Sequence, residues 1–581
     1  MGPNNAIHPL IKLKGDSNEA RRYNHPKRGV EPILRLFKTA NLLVKFCVEY
    51  LSHITTVFLD SSCSGRSGGS FCPGGTRLSN TPTTDRSANS LIVTFMQHSR
   101  LKFGSLILIG LLIIGLLSLQ NHILPLIDRD EPRFAEASRE MLQSGDWCIP
   151  RFNQVPRYDK PPLIYWMQCA AYRLLGDHEF ASRIPSVICT ALTSVCLAVW
   201  GAQIGGAMTG CRAAWIFALC MQTFVHGRAA VADPPLVLFS TLAAWAGWRW
   251  IQSRDKLNAA LMWVCAALGF LAKGPVAWIP LGMALYGVSR QGRTGAKMPN
   301  PLWCAAGLVL MLALVGIWGI PALIRSQGEF ASVGLGKHVV ARSLVSMEGH
   351  GAKNILGYLL TLPFYFGTVF LSFAPWSIWL PAAIKAHAKH LTPIGSYLLF
   401  GVVLTFGIFT LSRTKLPHYT LPAFPFLALL LALWWQDNRS PKLWTQTATG
   451  CAIVFALVPL LLFPIAKRLS ATECLATELR TAGISANETA LVDYQEPSLI
   501  WMLRGLRFPF PTLLKLEDVG PWLSQNPARL CILSKGASET LAEFPRIEAH
   551  GWNFAKGRRI ALAAVGPAIP TKQDAASVPV K

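Results

Sequence analysis

The sequence predicts a polytopic α-helical membrane protein that ends in a small α/β domain outside the bilayer. Three observations predict it. The 581-residue chain is 51% hydrophobic and only 15% charged, with a mean hydropathy of +0.34, whereas a soluble domain carries roughly a quarter charged residues. Apolar runs of about twenty residues, the length that crosses a bilayer as a helix, recur along it. From about residue 465 onward they stop, and short strand-like and helix-like segments replace them.

Residues 1–95 differ from the rest. They are basic and loop-rich, with a Gly/Ser/Cys patch at Cys63–Gly75. The moderately apolar stretch Ile33–Leu59 holds Arg35, Lys38, Lys45 and Glu49, which makes it a poor span. Met96 opens MQHSRLKFGSLILIGLLIIGLL, a short basic flank followed by an apolar helix. We therefore expect the functional protein to begin near Met96, with 1–95 a misassigned start or a disordered extension. The membrane domain is then 96–466, and 467–581 form a small extracytoplasmic α/β domain with a disordered tail from Ala568.

About eleven spans are expected by window length: 103–120, 184–204, 212–229, 234–251, 257–272, 275–289, 302–324, 357–384, 393–411, 418–435 and 443–464. The basic connections Arg100/Lys102, Ser253–Lys256, Arg290–Lys297, Lys385–His390 and Asn438–Lys442 fall in phase, so their side is cytoplasmic by the positive-inside rule. The net charge of +24 reads as these loops and an affinity for anionic lipid phosphates, not as nucleic-acid binding. The other side receives 121–183, 230–233, 273–274, 325–356, 412–417 and everything after the last span.

That outer side carries the unusual charges. The first loop holds Asp128-Arg129-Asp130-Glu131 and Arg133, then Asp159-Lys160 ahead of two prolines. Asp233 lies in VADPPL, Lys273 in FLAKGP, and Arg413, Lys415 and His418 in LSRTKLPHYTLP. Ionisable groups beside hydrocarbon are costly, and such exceptions usually serve function. Glu131–Gln143 reads as an amphipathic helix with Phe134, Ala135, Ser138, Met141 and Leu142 on one face, and Asp130 as its N-cap. The prolines after Lys160 suit a first helical turn and hold the lysine at a helix mouth. The DxD triplet at 128–130 is a three-residue signal with no Gly-rich phosphate loop to support it. The 14 cysteines show no metal-finger spacing. Most lie in apolar runs, while Cys474 and Cys531, in the C-terminal region, are candidates for a disulfide.

DEPRFAEASREMLQSGDW, PRFN, YDKPPLIYW and EFASRIPS, followed in order by GRAAVADPPL, GFLAKGPVAW and SRTKLPHYTLPAFPFLAL, resemble bacterial glycosyltransferases of the GT-C fold that use polyprenyl-phosphate sugars. These are the undecaprenyl-phosphate aminoarabinose:lipid A transferases, cousins of the dolichyl-phosphate-mannose protein mannosyltransferases. The resemblance covers roughly Leu106 to Trp435 and implies a GT-C fold of about 11–13 transmembrane helices. It implies Asp130 as the essential acid, with Glu131 and Asp233 as further catalytic carboxylates. Arg133, Lys160, Lys273 and Lys415 are implied as donor-phosphate ligands. Asp159 and His418 are candidates for a metal or substrate contact. No cofactor is implied as required; a divalent metal near Asp159 is the one candidate.

The expected activity is inverting transfer of one aminoarabinose- or mannose-like sugar from a polyprenyl phosphate to an envelope lipid such as lipid A, on the outer side of the inner membrane. A protein acceptor, as in O-mannosylation, is the alternative. A lipid or glycan transporter is the rival of another class, but it would favour internal repeats and charges at the bilayer midplane. The charges here cluster at outer helix ends. The outer segment 325–356, with Lys337, His338, Arg342, Glu348 and His350, is expected to cover the site, as long loops often do.

Overall fold

The computed structural model describes residues 101–292, 300–334, 336, 355–438 and 441–569. The segment 1–95 and the five charged residues just named in the outer loop lie outside the described residues.

Among the described residues the membrane part is mostly helical. It runs through α1 (Phe103–Ser118), α2 (Asp130–Ser144), a two-residue hairpin β1 (Arg151–Phe152) and β2 (Val155–Pro156), α3 (Leu163–Leu175), α4 (Glu179–Gly205), α5 (Ala207–Ala218), α6 (Met221–Gly227), α7 (Asp233–Ser253), α8 (Lys256–Lys273), α9 (Ile279–Gly292) and α10 (Pro301–Arg325). It continues with α11 (Ile355–Thr361), α12 (Phe364–Ser372), α13 (Leu380–Lys389), α14 (Pro393–Leu411), α15 (Phe424–Asn438) and α16 (Pro441–Leu469). Local chemistry sets several boundaries. Asp255, Asn300 and Thr392 accept hydrogen bonds from the first-turn N–H groups of α8, α10 and α14, which satisfies donors that a helix start leaves unpaired.

Among the described residues, six helices are long and apolar enough to cross a membrane, or eight if each bent pair forms one span. The chain is a multi-pass membrane protein. The expected span 212–229 is the α5–α6 pair, bent by 68°, and 357–384 is broken with a 120° bend. Pro375, which has no N–H to continue a helix, lies in the second break. The sequence count of about eleven exceeds six to eight partly because short helices such as α1 and α9 occupy expected spans without reaching full crossing length. The span around α15 is central, with 83% of its apolar window buried, while α16 is peripheral at 17%.

After α16 come α17 (Ala471–Thr481), β3 (Glu488–Leu491), α18 (Pro497–Gly505), β4 (Thr512–Leu513), α19 (Leu516–Ser524), β5 (Arg529–Ser534), β6 (Arg546–Asn553) and β7 (Arg558–Val565). The sheet order is β4-β3-β5-β7-β6. β3 is parallel to β4 and β5, while β7 is antiparallel to β5 and β6. Both faces of β5 are covered: Leu530 and Ile532 pack with α17 and α18, and Cys531 and Leu533 with α19. The two-residue alternation of a strand explains this division. Cys531 is thus a core thiol, and both it and Cys474 are free, so the expected disulfide is absent.

Candidate functional site

The turns assigned to one side by their charge do meet at one end of the bundle. Tyr158–Pro161, the start of α7, the α8 end, the stretch from Val315 to Gly334, and residues near Ser412 and Tyr419 line a single cavity of about 580 Å³. Its wall is mostly apolar, with Phe270, Trp278, Trp318 and Phe330 prominent, and its charges are Asp159, Lys160, Asp233 and Lys273.

Asp233 is the first residue of α7, followed by two prolines, a start that needs no N–H from the proline positions. Lys273 is the last residue of α8. The chain turns there through Gly274 at φ +79°, whose N–H bonds Phe270 O. That left-handed turn suits glycine and delivers the lysine to the cavity. Lys273 Nζ lies 2.6 Å from Asp233 Oδ1 and 5.6 Å from the centre of the Tyr419 ring. The His226 and His418 rings lie 4.8 Å apart, and both are electrostatic partners of Asp233. His418 thus joins the site through Asp233.

Asp159 Oδ2 pairs with Arg157 Nη2 at 3.1 Å. Arg157 Nε donates to Tyr165 Oη at 3.2 Å, and the guanidinium lies 5.4 Å from the Phe134 ring. Arg157 also feels Asp130. Asp130 does not line the cavity. It stands exposed as the first helical residue of α2 rather than as its N-cap, which is Arg129. One arginine therefore links Asp130 to a cavity carboxylate. Sequence reading passed over Arg157, though it stands two residues before Asp159, and over His226, which carried no signal. Among the described residues no three His, Cys, Asp or Glu side chains gather as a metal-binding group.

Two expected site residues are engaged elsewhere, and a third lies outside the cavity lining. Glu131 is buried and bonds Arg183 through both oxygens, at 2.8 and 2.7 Å. It also accepts from the N–H of Ile127 and Ala230. Arg183 spends its remaining donors on the carbonyls of Asn121, Leu124 and Pro125, so all five N–H groups of the guanidinium are satisfied. Burial raises the Glu131 carboxyl, but the adjoining Arg183 outweighs it and holds the group below its ordinary range. Glu131 thus ties the first loop to α4 through Arg183. Lys415 donates to the carbonyls of Thr410 and Ser412 at 2.7 and 2.8 Å, capping the C-terminus of α14 as a cation should. Burial lowers its pKa, and it does not line the cavity. Arg133 is half-buried on α2 and also outside the cavity lining; its charge is felt by Asp128.

The DxD triplet is divided by the fold. Asp128 accepts from the backbone N–H of Ser498 at 2.8 Å and from its hydroxyl, at the start of α18. The apolar face expected for α2 is there, but its polar face is buried too. Arg139 bonds Glu136 and Asp177, each at 2.8 Å, and lies 3.6 Å over the Trp501 ring. Glu140 accepts from the N–H of Asn153 and Gln154. The C-terminal domain thus grips the helix that bears Asp130.

Burial raises the Asp128 carboxyl from 3.8 to about 6 against the lowering effect of Ser498. A group whose folded pKa is raised contributes most when protonated, so this contribution is complete below about pH 4 and is lost as pH rises through about 6. Asp128→Asn removes the titration. Its Tm relative to wild type is expected to rise between pH 5 and pH 7.5 in thermal unfolding of the purified protein. A pH-independent difference would refute the shift.

The described start of the segment 325–356 lines the cavity through Phe330, Ala331 and Gly334. Phe330 packs edge-on against Trp318 and Tyr158. The end of α10 is anchored where Arg325 bonds both oxygens of Asp146 at 2.9 Å.

Residues 159–318 match the family model described as dolichyl-phosphate-mannose-protein mannosyltransferase. The chain is 29% identical over 338 residues to the undecaprenyl phosphate-alpha-4-amino-4-deoxy-L-arabinose arabinosyl transferase of Edwardsiella ictaluri, covering 56% of this chain and 59% of that protein. It is 32% identical over 333 residues to arabinosyl transferase 2 of Sodalis glossinidius, covering 54% and 57%. The matches thus span under two thirds of these relatives' length. ArnT of Cupriavidus metallidurans, solved bound to undecaprenyl phosphate, superposes with a TM-score of 0.65 at 17% identity, covering 81% of this chain and all of that one. At that identity the likeness concerns the fold, which is GT-C.

Proposed function

Because this chain is a relative of the polyprenyl-phosphate glycosyltransferases in sequence and shares their GT-C fold, we propose that it moves one sugar from a polyprenyl phosphate to an envelope lipid such as lipid A. One observation carries the reading: two lysines and two aspartates converge on an otherwise apolar cavity of about 580 Å³ at one end of a helical bundle. Apolar walls suit a prenyl chain, and cations suit its phosphate.

Charge compensation falls to Lys160 and Lys273. A cation about 4 Å from a phosphate gains roughly 4 kcal/mol per unit charge at an effective dielectric near 20. That gain is greatest where charge grows, on the departing phosphate. Asp233 holds Lys273 in place, and Arg157 holds Asp159. Asp130 acts on the acceptor, as a general base for a hydroxyl. If the acceptor is a phosphate, which is already ionised, Asp130 positions it or stabilises positive charge at the anomeric carbon. Attack opposite the leaving phosphate inverts that centre. The basic loops at the other end support an orientation with the cavity on the outer face of the inner membrane.

Mass spectrometry of envelope lipids and glycoproteins, with and without the protein, tests the reading. A gain of one sugar mass on lipid A-like species supports it. A gain on proteins favours O-mannosylation, the reading that the mannosyltransferase family match supports. No sugar gain on either overturns both. In reconstituted transfer assays, Lys160→Ala is expected to raise KM for the lipid-phosphate donor at least tenfold, with KM for the acceptor little changed. An unchanged donor KM would remove Lys160 from the phosphate site.

A further inference from the structure

The hairpin of β6 and β7 projects its turn beside the last membrane span. Strand β6 meets the end of α16 so closely that a Cβ on Gly551 would lie 2.5 Å from Ala471 Cα and 2.8 Å from Leu469 O. Trp552 bridges to Ser470. Trp552 and Phe554 line a small cleft with Ala466, in the last turn of α16, and with Leu124–Asp128, the segment that follows α1. The hairpin tip is therefore fixed at the level where two membrane helices end.

This tip has an unusual surface. Trp552 is 36% exposed and Phe554 41%, with Ile127 nearby at 43%. Arg559 stands opposite Trp552 and Arg558 opposite Asn553 in the strand register, and both arginines are exposed, as are Lys467 and Arg468 in the last turn of α16. Lys556 is at the turn, paired with Glu496 at 3.2 Å; Glu473 faces Lys467. Cations outnumber carboxylates, and aromatic rings stand among them. Helix α16 has 29 residues, about 43 Å at 1.5 Å per residue, which matches a bilayer of about 40–45 Å including its headgroups. Its basic last turn thus reaches headgroup level, where Trp is favoured and anionic lipids attract Lys and Arg.

We propose that the β6–β7 tip is a membrane-surface contact. Trp552 and Phe554 enter the headgroup layer of the leaflet in which α16 ends, and Arg558 and Arg559 bind phosphates of anionic phospholipids there. The contact holds the sheet domain against the bilayer and so steadies its grip on α2. It is independent of the sugar-transfer reading.

The test uses the full chain carrying the photocrosslinker p-benzoylphenylalanine in place of Phe554. It is reconstituted in nanodiscs of phosphatidylcholine, with or without phosphatidylglycerol. Leu513 is the control position, because it is 54% exposed on β4, at the other edge of the sheet. We expect lipid adducts at 554 and not at 513, several-fold more abundant with phosphatidylglycerol. R558Q/R559Q should remove that excess. No lipid adduct at 554, equal adducts at 513, or crosslinks chiefly between copies of the chain would overturn the proposal. An excess that survives R558Q/R559Q would overturn the role of the arginines. If the crosslinker chain does not fold, quenching by brominated phospholipids, taken as the difference between wild type and W552F, reads the same contact. No quenchable difference would refute it.

Discussion

Exchange of Asp130 for asparagine is expected to lower sugar transfer by at least about 10²-fold, the lower range for loss of a general base, while Tm and membrane insertion stay at wild-type values. Asp130 is exposed at the first position of α2, and asparagine has the same shape. Its carboxylate is within electrostatic reach of Arg157, Tyr165 and His226, so its charge is what the substitution removes. Transfer assays on reconstituted protein, alongside thermal unfolding, read the two effects separately. Activity near wild type would remove Asp130 from the reaction.

The neighbouring residue is expected to behave in the opposite way. Glu131→Gln leaves the buried Arg183 guanidinium without its counter-charge, and removing one partner of a buried pair typically costs about 3–5 kcal/mol. The expected readout is a lower Tm and a poor yield of monodisperse protein, with activity per folded molecule retained. A Glu131→Gln protein with wild-type Tm and no transfer would return Glu131 to the catalytic group.

This contrast shows what the sequence could and could not convey. Apolar run length and loop charge were enough to place Asp159, Lys160, Asp233 and Lys273 at one end of the bundle, and the cavity brings those four together. Charge in an outer loop did not distinguish an acid that faces the site from one that faces an arginine 52 residues away. That depends on which side of the first turn of α2 meets α4. Lys415 misled for a similar reason: an outer lysine after a helix can cap that helix as easily as it can bind a phosphate. In the C-terminal domain, the apolar runs ALVDY, LCIL and RRIALAAVG overlap β3, β5 and β7. Strand β6, with the sequence RIEAHGWN, has a polar, glycine-bearing pattern that gave no strand signal. Its pairing with β7 over eight residues overrides that weak local preference.

Helix α2 is enclosed by membrane helices on one side and by the sheet domain on the other. A chain stopped after Leu469 would keep every residue that lines the cavity, yet Arg139 would lose the Trp501 ring, Glu136 its pairing with Arg504 and Asp128 its anchor at Ser498. Chimeras between relatives should therefore exchange the bundle and the C-terminal domain together. A junction at the end of α16 would carry over the cavity and leave behind the support of the helix that bears Asp130.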